Sequence, residues 1–506
     1  MTAIVVPHVF GGTIRIPASK SHTIRRLNIA TLAEGVSEII HPLDSLDIRS
    51  CVSLCRMLGA EITELRGLDH DSPNLHDEKG EKLLKWIVRG IGKNGQHNRE
   101  PGRCNVGNSG TTFFLGLAAA ALGTVPMEFD GDEQIRKRSA GPLLDALTGL
   151  GVTVKSASDC CAPITVQGPW KGGRISLPCQ TSQYLSALLL TAPLAPAGVV
   201  TEIDVPLLNE KPYIDMTLSY LESMGIQYEA SSSYTYFRIP GGSSWESFSA
   251  PVPADFSSAA FPAAAAAISG GQVKLLGLDP YDTQGDKAFF GFLEKMGCHV
   301  NWEQVPLERV SSEQVLLERA SLEQVPLEQV QLGQFVTSGL RAIGQKSIEL
   351  NMAEWQLKLF RRGALKGGEF DLNDTPDLLP ALAAVACYAK GDTALVNAAH
   401  VRLKETDRIA VMAEELGKLG VRTTEREDGL IIHSNGGISP AAAVRKQTGF
   451  CKDARIYKTD SRLDHRVAMA LAAAALGCPS PVEIAGAECA AVTYPGFLEL
   501  LGADLV

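Results

Sequence analysis

The feature that most constrains this chain is a phrase that recurs six times along it. The end of an amphipathic, helix-like run is followed by glycine, then by a small or aliphatic residue able to start a strand. It reads Arg56-Met57-Leu58-Gly59-Ala60, Gly149-Leu150-Gly151-Val152, Ser223-Met224-Gly225-Ile226, Lys295-Met296-Gly297-Cys298, Lys418-Leu419-Gly420-Val421 and Leu500-Leu501-Gly502-Ala503. A glycine just past a helix adopts the left-handed conformation that closes its last turn, and an apolar strand can begin at once. Subtraction gives glycine spacings of 92, 74, 72, 123 and 82 residues.

The long interval contains a ten-residue tandem repeat. Glu303-Gln304-Val305-Pro306-Leu307-Glu308 returns as Glu313-Gln314-Val315-Leu316-Leu317-Glu318 and as Glu323-Gln324-Val325-Pro326-Leu327-Glu328. A period of ten suits neither helix nor strand, so about 303–343 is expected to be an exposed insertion. Without it the chain is six α/β modules of similar length, and 506 residues suit two domains of three modules each. The polar stretch from about Arg66 to Arg103 reads as a second surface insertion.

Apolar residues at 45% and charged residues at 21% describe a globular chain. No apolar run reaches the roughly 18 residues a membrane span needs, and Met1 to Phe10 lacks the pattern of a secretory signal. Eleven scattered cysteines with no CxxC pair give neither a zinc site nor a disulfide framework, so a reducing cytoplasm is expected. A net charge of −10 argues against nucleic acid as a partner. Any small anionic substrate must then be met by basic residues concentrated at one place.

Five clusters could supply that place. Ser19-Lys20-Ser21-His22-Thr23-Ile24-Arg25-Arg26 precedes a helical pattern from Leu27 to Ala33, and Asn105-Val106-Gly107-Asn108-Ser109-Gly110-Thr111 leads into the apolar run Phe113 to Leu122. Gln180-Thr181-Ser182-Gln183-Tyr184 comes before Leu185 to Leu194, and Asp464-His465-Arg466 before Val467 to Leu476. Arg402-Leu403-Lys404-Glu405-Thr406-Asp407-Arg408 is the most densely charged of the five. Each alone is as well explained by an ordinary capped or solvated helix start. Together they give several helix N-termini carrying anion-binding groups, because free N–H groups and the helix dipole add to the side-chain charge.

In order along the chain these segments resemble the 3-phosphoshikimate 1-carboxyvinyltransferase (EPSP synthase) family of the enolpyruvyl transferase superfamily. Lys211-Pro212-Tyr213-Ile214-Asp215, Gln284-Gly285-Asp286 and Pro376-Asp377 extend the likeness, which covers nearly the whole chain apart from the two insertions. The resemblance implies an α/β fold, an inside-out α/β barrel of two domains, each of three βαβαββ units. It places the boundaries so that 14–252 form one domain and 1–13 plus 253–506 the other. It implies transfer of the enolpyruvyl group of phosphoenolpyruvate to the 5-hydroxyl of shikimate 3-phosphate, through a tetrahedral intermediate and with release of phosphate. Asp377 is then the base, Glu405 the acid that protonates carbon, and Lys20 the bridge between substrates. Shikimate 3-phosphate would meet Lys20, Ser21, Arg25, Thr181, Ser182, Gln183, Tyr213, Asp377 and Lys404. Phosphoenolpyruvate would meet Lys20, Gly110, Gln183, Arg408 and Arg466. Neither a metal nor an organic cofactor is implied, and a monomer working on two small molecules is expected.

Some positions depart from the family pattern. Phe114 stands where the family usually has an arginine, and Gln134 and Val492 stand where it carries an arginine and a lysine that bind phosphoenolpyruvate, with Arg136, Lys137 or Arg138 available to restore one charge by a shift of register. Glu210 and His400 replace smaller polar groups on the shikimate side. These departures keep open a homologue that takes a shikimate-type phosphate with a different second substrate, or a non-catalytic binding paralogue. Loss of Asp377 or Glu405 would mark the paralogue, and both are present. The UDP-N-acetylglucosamine branch would carry a catalytic-loop cysteine near Gln134, and none lies between Cys104 and Cys160.

Overall fold

The computed structural model describes residues 1–67, 82–92, 101–306, 353–438 and 456–506. The six glycines of the recurring phrase all have positive φ, from 65° at Gly502 to 106° at Gly59. At five of them the following residue donates to the carbonyl five positions before the glycine's neighbour, as in Val152 N to Leu147 O and Ile226 N to Leu221 O. This bond satisfies an orphan carbonyl at the helix end and turns the chain into the next strand.

Each repeated unit builds the same four-stranded sheet. The second runs strand Gly102–Asn105, helix Gly110–Ala120, strand Met127–Asp130, helix Gly141–Gly149, then the hairpin strands Thr153–Ser156 and Ile164–Gln167. The first two strands pair in parallel, and the hairpin adds antiparallel with its last strand innermost. The same order recurs in all six four-stranded sheets. Three of them borrow a strand from elsewhere in the chain. Gly12–Arg15 joins Gln272–Leu276, Ser249–Pro251 joins Val36–Ile40, and Thr2–Val5 lies between Val482–Ala485 and Asp504–Leu505.

Two apolar cores result. One collects residues from Ile24 to Val252, the other Ala3 to Ile16 together with Ala254 to Leu501. At the centre of each lies a set of helices buried nearly all round. Gly110–Ala120 packs against Lys20–Leu32 and Ser182–Thr191, and Phe256–Ser269, Leu379–Ala386 and His465–Ala475 pack against one another. Gly110–Ala120, Phe256–Ser269, Leu379–Ala386 and His465–Ala475 are rich in alanine, and a helix without a polar face has no surface to offer water. None of the helices among the described residues is long and apolar enough to cross a membrane.

Two expectations about insertions need correction. Lys82–Arg89, inside the supposed Arg66–Arg103 insertion, is an inner sheet strand paired with both Val36–Ile40 and Glu61–Gly67. Its Leu83, Trp86 and Val88 are fully buried, and the lysines and arginine between them hid that pattern in the sequence. The decapeptide stretch does not begin as a loop either. Strand Cys298–Pro306 runs through Glu303 and Gln304, paired with Ala353–Arg361. Residues 68–81, 93–100 and 307–343 of the two stretches lie outside the described residues.

Candidate active site

All six buried helices begin at the same cleft, which encloses about 670 Å³, part of it open to solvent. Five of the helices carry side-chain caps. Ser19 accepts from His22 N, Ser109 from Thr112 N, Thr181 from Gln183 N, Asp255 from Ser257 N, and Asp464 from Arg466 N and Val467 N. Each helix starts several residues before its apolar run. The polar motifs therefore lie within the first turns, where unpaired N–H groups and the helix dipole favour negative charge.

The lining holds six cations, Lys20, Arg25, Arg138, Lys404, Arg408 and Arg466, facing five carboxylates, Asp47, Glu210, Asp255, Asp377 and Glu405. Arg408 Nη1 donates to Asp377 Oδ1 (2.8 Å), its Nη2 to Glu405 Oε2 (2.5 Å) and its Nε to Asp464 Oδ2 (2.8 Å). Arg466 Nη2 holds the other Asp377 oxygen at 2.9 Å, and Lys20 Nζ reaches Asp47 Oδ2 at 3.1 Å. The two halves of the chain meet here. Arg138 Nη2 stands 3.2 Å from Glu405 Oε1, and Lys404 Nζ donates to Glu210.

Arg25 is the exception among these cations. It is fully buried and donates to the hydroxyls of Thr217 and Ser186 and the carbonyls of Ser21 and Tyr213. No described carboxylate forms an ion pair with it, and burial brings its guanidinium down to about 10. A buried cation without a counter-ion is a seat for an anion.

Burial raises the carboxyls of Asp377 and Glu405, but neighbouring cations outweigh it. Arg466, Lys404 and Arg408 hold Asp377 well below the usual carboxylate range, and Arg408 and Arg138 do the same for Glu405. Both are ionised. His465 is driven well below its ordinary value by burial and by Lys20, so its ring is neutral. Burial and then the Asp377 charge push Asp286 up to about 7.

The cleft brings together Lys20, Ser21, Arg25, Gly110, Ser182, Gln183, Tyr213, Asp377, Lys404, Glu405, Arg408 and Arg466. Thr181 lies just behind it, its hydroxyl 3.0 Å from Glu210. Gln134 is outside the lining and accepts from Asn108 Nδ2, while the short 3-10 turn Ile135–Lys137 swings Arg138 into the cleft. Arg136 is turned away onto Asp130 (2.7 and 2.8 Å). Phe114 is buried in the core against Phe113 and Tyr184, and Val492 is also outside the lining. Sequence reasoning missed Asp47, Asp255 and Ser257 as lining groups, and noted His465 only within the Asp464-His465-Arg466 cluster. The Asp255-Phe256-Ser257 start of an alanine-rich helix was the available signal for two of them.

The sequence matches the family model for EPSP synthase (3-phosphoshikimate 1-carboxyvinyltransferase) over residues 7–332 and 314–501. The 3-phosphoshikimate 1-carboxyvinyltransferase of Acetivibrio thermocellus is 40% identical over 500 residues, covering 98% of this chain and 96% of that protein. The enzyme of that name from Halobacterium salinarum is 34% identical over 514 residues, covering 100% and 99%. Among solved structures, EPSP synthase from Acinetobacter baumannii superposes with a TM-score of 0.70 at 24% identity, covering 99% of this chain and 97% of that one; it has the same two-domain inside-out α/β architecture. The chain belongs to the EPSP synthase (3-phosphoshikimate 1-carboxyvinyltransferase) family.

Proposed function

We infer that this protein transfers the enolpyruvyl group of phosphoenolpyruvate to the 5-hydroxyl of shikimate 3-phosphate and releases phosphate. The observation that carries the reading is the convergence of six helix N-termini and six cations on one cleft in a chain of net charge −10. Two polyanionic substrates need such a concentration of positive charge.

The residue roles are taken from the family resemblance. Arg25, Ser21, Thr181, Ser182, Gln183, Tyr213 and Lys404 border the half that takes shikimate 3-phosphate. Gly110, Gln183, Arg408 and Arg466 border the half that takes phosphoenolpyruvate, with Arg138 as a further cation and Lys20 between the two. In the addition step the 5-hydroxyl oxygen bonds to C2 of phosphoenolpyruvate, Asp377 takes the hydroxyl proton, and Glu405 delivers a proton to the methylene carbon. In the elimination step the methyl group returns its proton to Glu405, the C–H electron pair forms the new double bond, and the bond from C2 to the phosphate oxygen breaks to release phosphate.

The electrostatics of the cleft suit this order of events. Asp377 is a poor base while three cations hold it. When substrate phosphates and carboxylates draw Arg408, Arg466 and Lys404 toward themselves, its basicity rises as the hydroxyl arrives. The same exchange lets Glu405 take up the proton it must deliver.

The separate cores support two domains. The chain first crosses between them after Ile16, since Gly12–Arg15 pairs within the C-terminal sheet, and crosses back near Val252. A first boundary slightly later than 13 accords with this pairing. A monomer acting on small molecules without nucleic acid accords with the acidic charge, and thiols at all ten described cysteines accord with the cytoplasm.

The test is phosphate release by purified protein, with mass spectrometry of the product. Release that requires both substrates and yields enolpyruvyl shikimate 3-phosphate is expected. Folded protein that binds both substrates without forming this product would overturn the reading.

A further inference from the structure

Glu210 is a residue for which neither helix capping nor the proposed chemistry accounts. It sits just before helix Lys211–Ser223 with φ 60° and ψ 42°, a left-handed conformation that side chains with a Cβ rarely adopt, and is 1% exposed. Its N–H donates to Asn373 O across the two halves (3.2 Å). Its Oε2 accepts from Thr181 Oγ1 (3.0 Å), Ser182 N (3.0 Å) and Ser182 Oγ (2.8 Å), and its Oε1 from Lys404 Nζ. A backbone N–H at a helix start, two hydroxyls and an ammonium form the donor set that a phosphate takes at a helix N-terminus.

We propose that Glu210 is a specificity-determining residue of the acceptor half-site: its carboxylate is a resident anion in the seat at the start of helix Ser182–Thr191, and a phosphorylated acceptor binds by displacing it. The proposal rests on the reading that this half-site takes shikimate 3-phosphate. Two anions cannot share one set of donors without strong repulsion. The phosphate therefore competes with a group already in place, and phosphorylation of the acceptor adds less affinity than an empty seat would give. His400, the other departure on this side, is buried with its Nε2 unpartnered; burial disfavours its charged form, and Glu210 offsets this only in part. The two replacements share one electrostatic environment.

The experiment compares wild type with Glu210→Ser, which opens the seat, and Glu210→Gln, which keeps the size but removes the charge. Calorimetry gives Kd for shikimate and shikimate 3-phosphate, initial rates give KM for phosphoenolpyruvate, and melting curves confirm folding. In both variants shikimate 3-phosphate is expected to bind roughly 10- to 100-fold tighter, the effect of one charge-assisted hydrogen bond regained. The ratio of the two Kd values widens accordingly, while KM for phosphoenolpyruvate stays within about twofold. A structural defect alone would weaken both ligands. If wild type transfers the enolpyruvyl group and folded Glu210→Gln binds shikimate 3-phosphate no more tightly, the inference falls and the function stands. If wild type neither binds nor uses shikimate 3-phosphate but the variants gain binding, the function falls and the inference stands. Failure of all three proteins to bind it overturns both.

Discussion

Replacing Arg138 with glutamine tests which residue restores the charge missing at Gln134. The Arg138 side chain is 10% exposed, with its Nη2 at 3.2 Å from Glu405 and 3.4 Å from Asn108 Oδ1, and its buried Nε has no partner. These contacts are long and leave donors unused, so the guanidinium has capacity for an incoming anion. Losing one charge-assisted hydrogen bond costs about 1.5–3 kcal/mol, or roughly 10- to 100-fold in kcat/KM for phosphoenolpyruvate. Folding should survive, because Glu405 keeps Arg408 at 2.5 Å. Initial rates of phosphate release, with phosphoenolpyruvate varied at saturating acceptor, read the loss. Arg136→Gln is the control. That guanidinium is half-exposed and tied to Asp130, so its kcat/KM should stay within about twofold of wild type. An unchanged Arg138→Gln enzyme, or an equal loss in Arg136→Gln, would refute the assignment of Arg138 to the cleft.

Three further outcomes are expected. A Cβ at Gly110 would lie 2.5 Å from Arg138 Nη1, so Gly110→Ala should displace that guanidinium and raise KM for phosphoenolpyruvate, leaving Kd for shikimate 3-phosphate within about twofold. Gly225 has φ 67° with open space around the missing Cβ, so Gly225→Ala should cost only backbone strain, about 1–2 kcal/mol, read as a lower denaturant midpoint with m unchanged. Asp286, raised to about 7, favours its protonated form when folded; the stability it contributes is complete below about pH 4 and is lost as pH rises through 7. Asp286→Asn should therefore raise Tm more at pH 8 than at pH 5, and an equal change at both would contradict the titration.

Legibility in the sequence followed the range of the physical signal. The six glycine-ended helices were readable because a helix C-terminus is a local event, and all six glycines have the required positive φ. The helix-start motifs were readable for the same reason, although their helices begin earlier than the apolar runs. Lys82–Arg89 was missed because an inner strand that carries lysines on its partly exposed positions resembles a polar loop until its two neighbours are known. Arg138 was only one of three candidates, since a single 3-10 turn decides which of three adjacent cations faces the cleft.

The sequence by itself determined the six-module α/β plan, the helix starts and most of the groups that line the cleft, because those depend on contacts within a turn or two of chain. Only the tertiary structure decided which charges oppose one another. Asp377 held by Arg408 and Arg466, and Glu210 filling the seat formed by Thr181, Ser182 and Lys404, are pairings between distant segments. Their strength comes from burial at the junction of two cores, where low dielectric makes each unscreened charge count, and no local pattern carries that information.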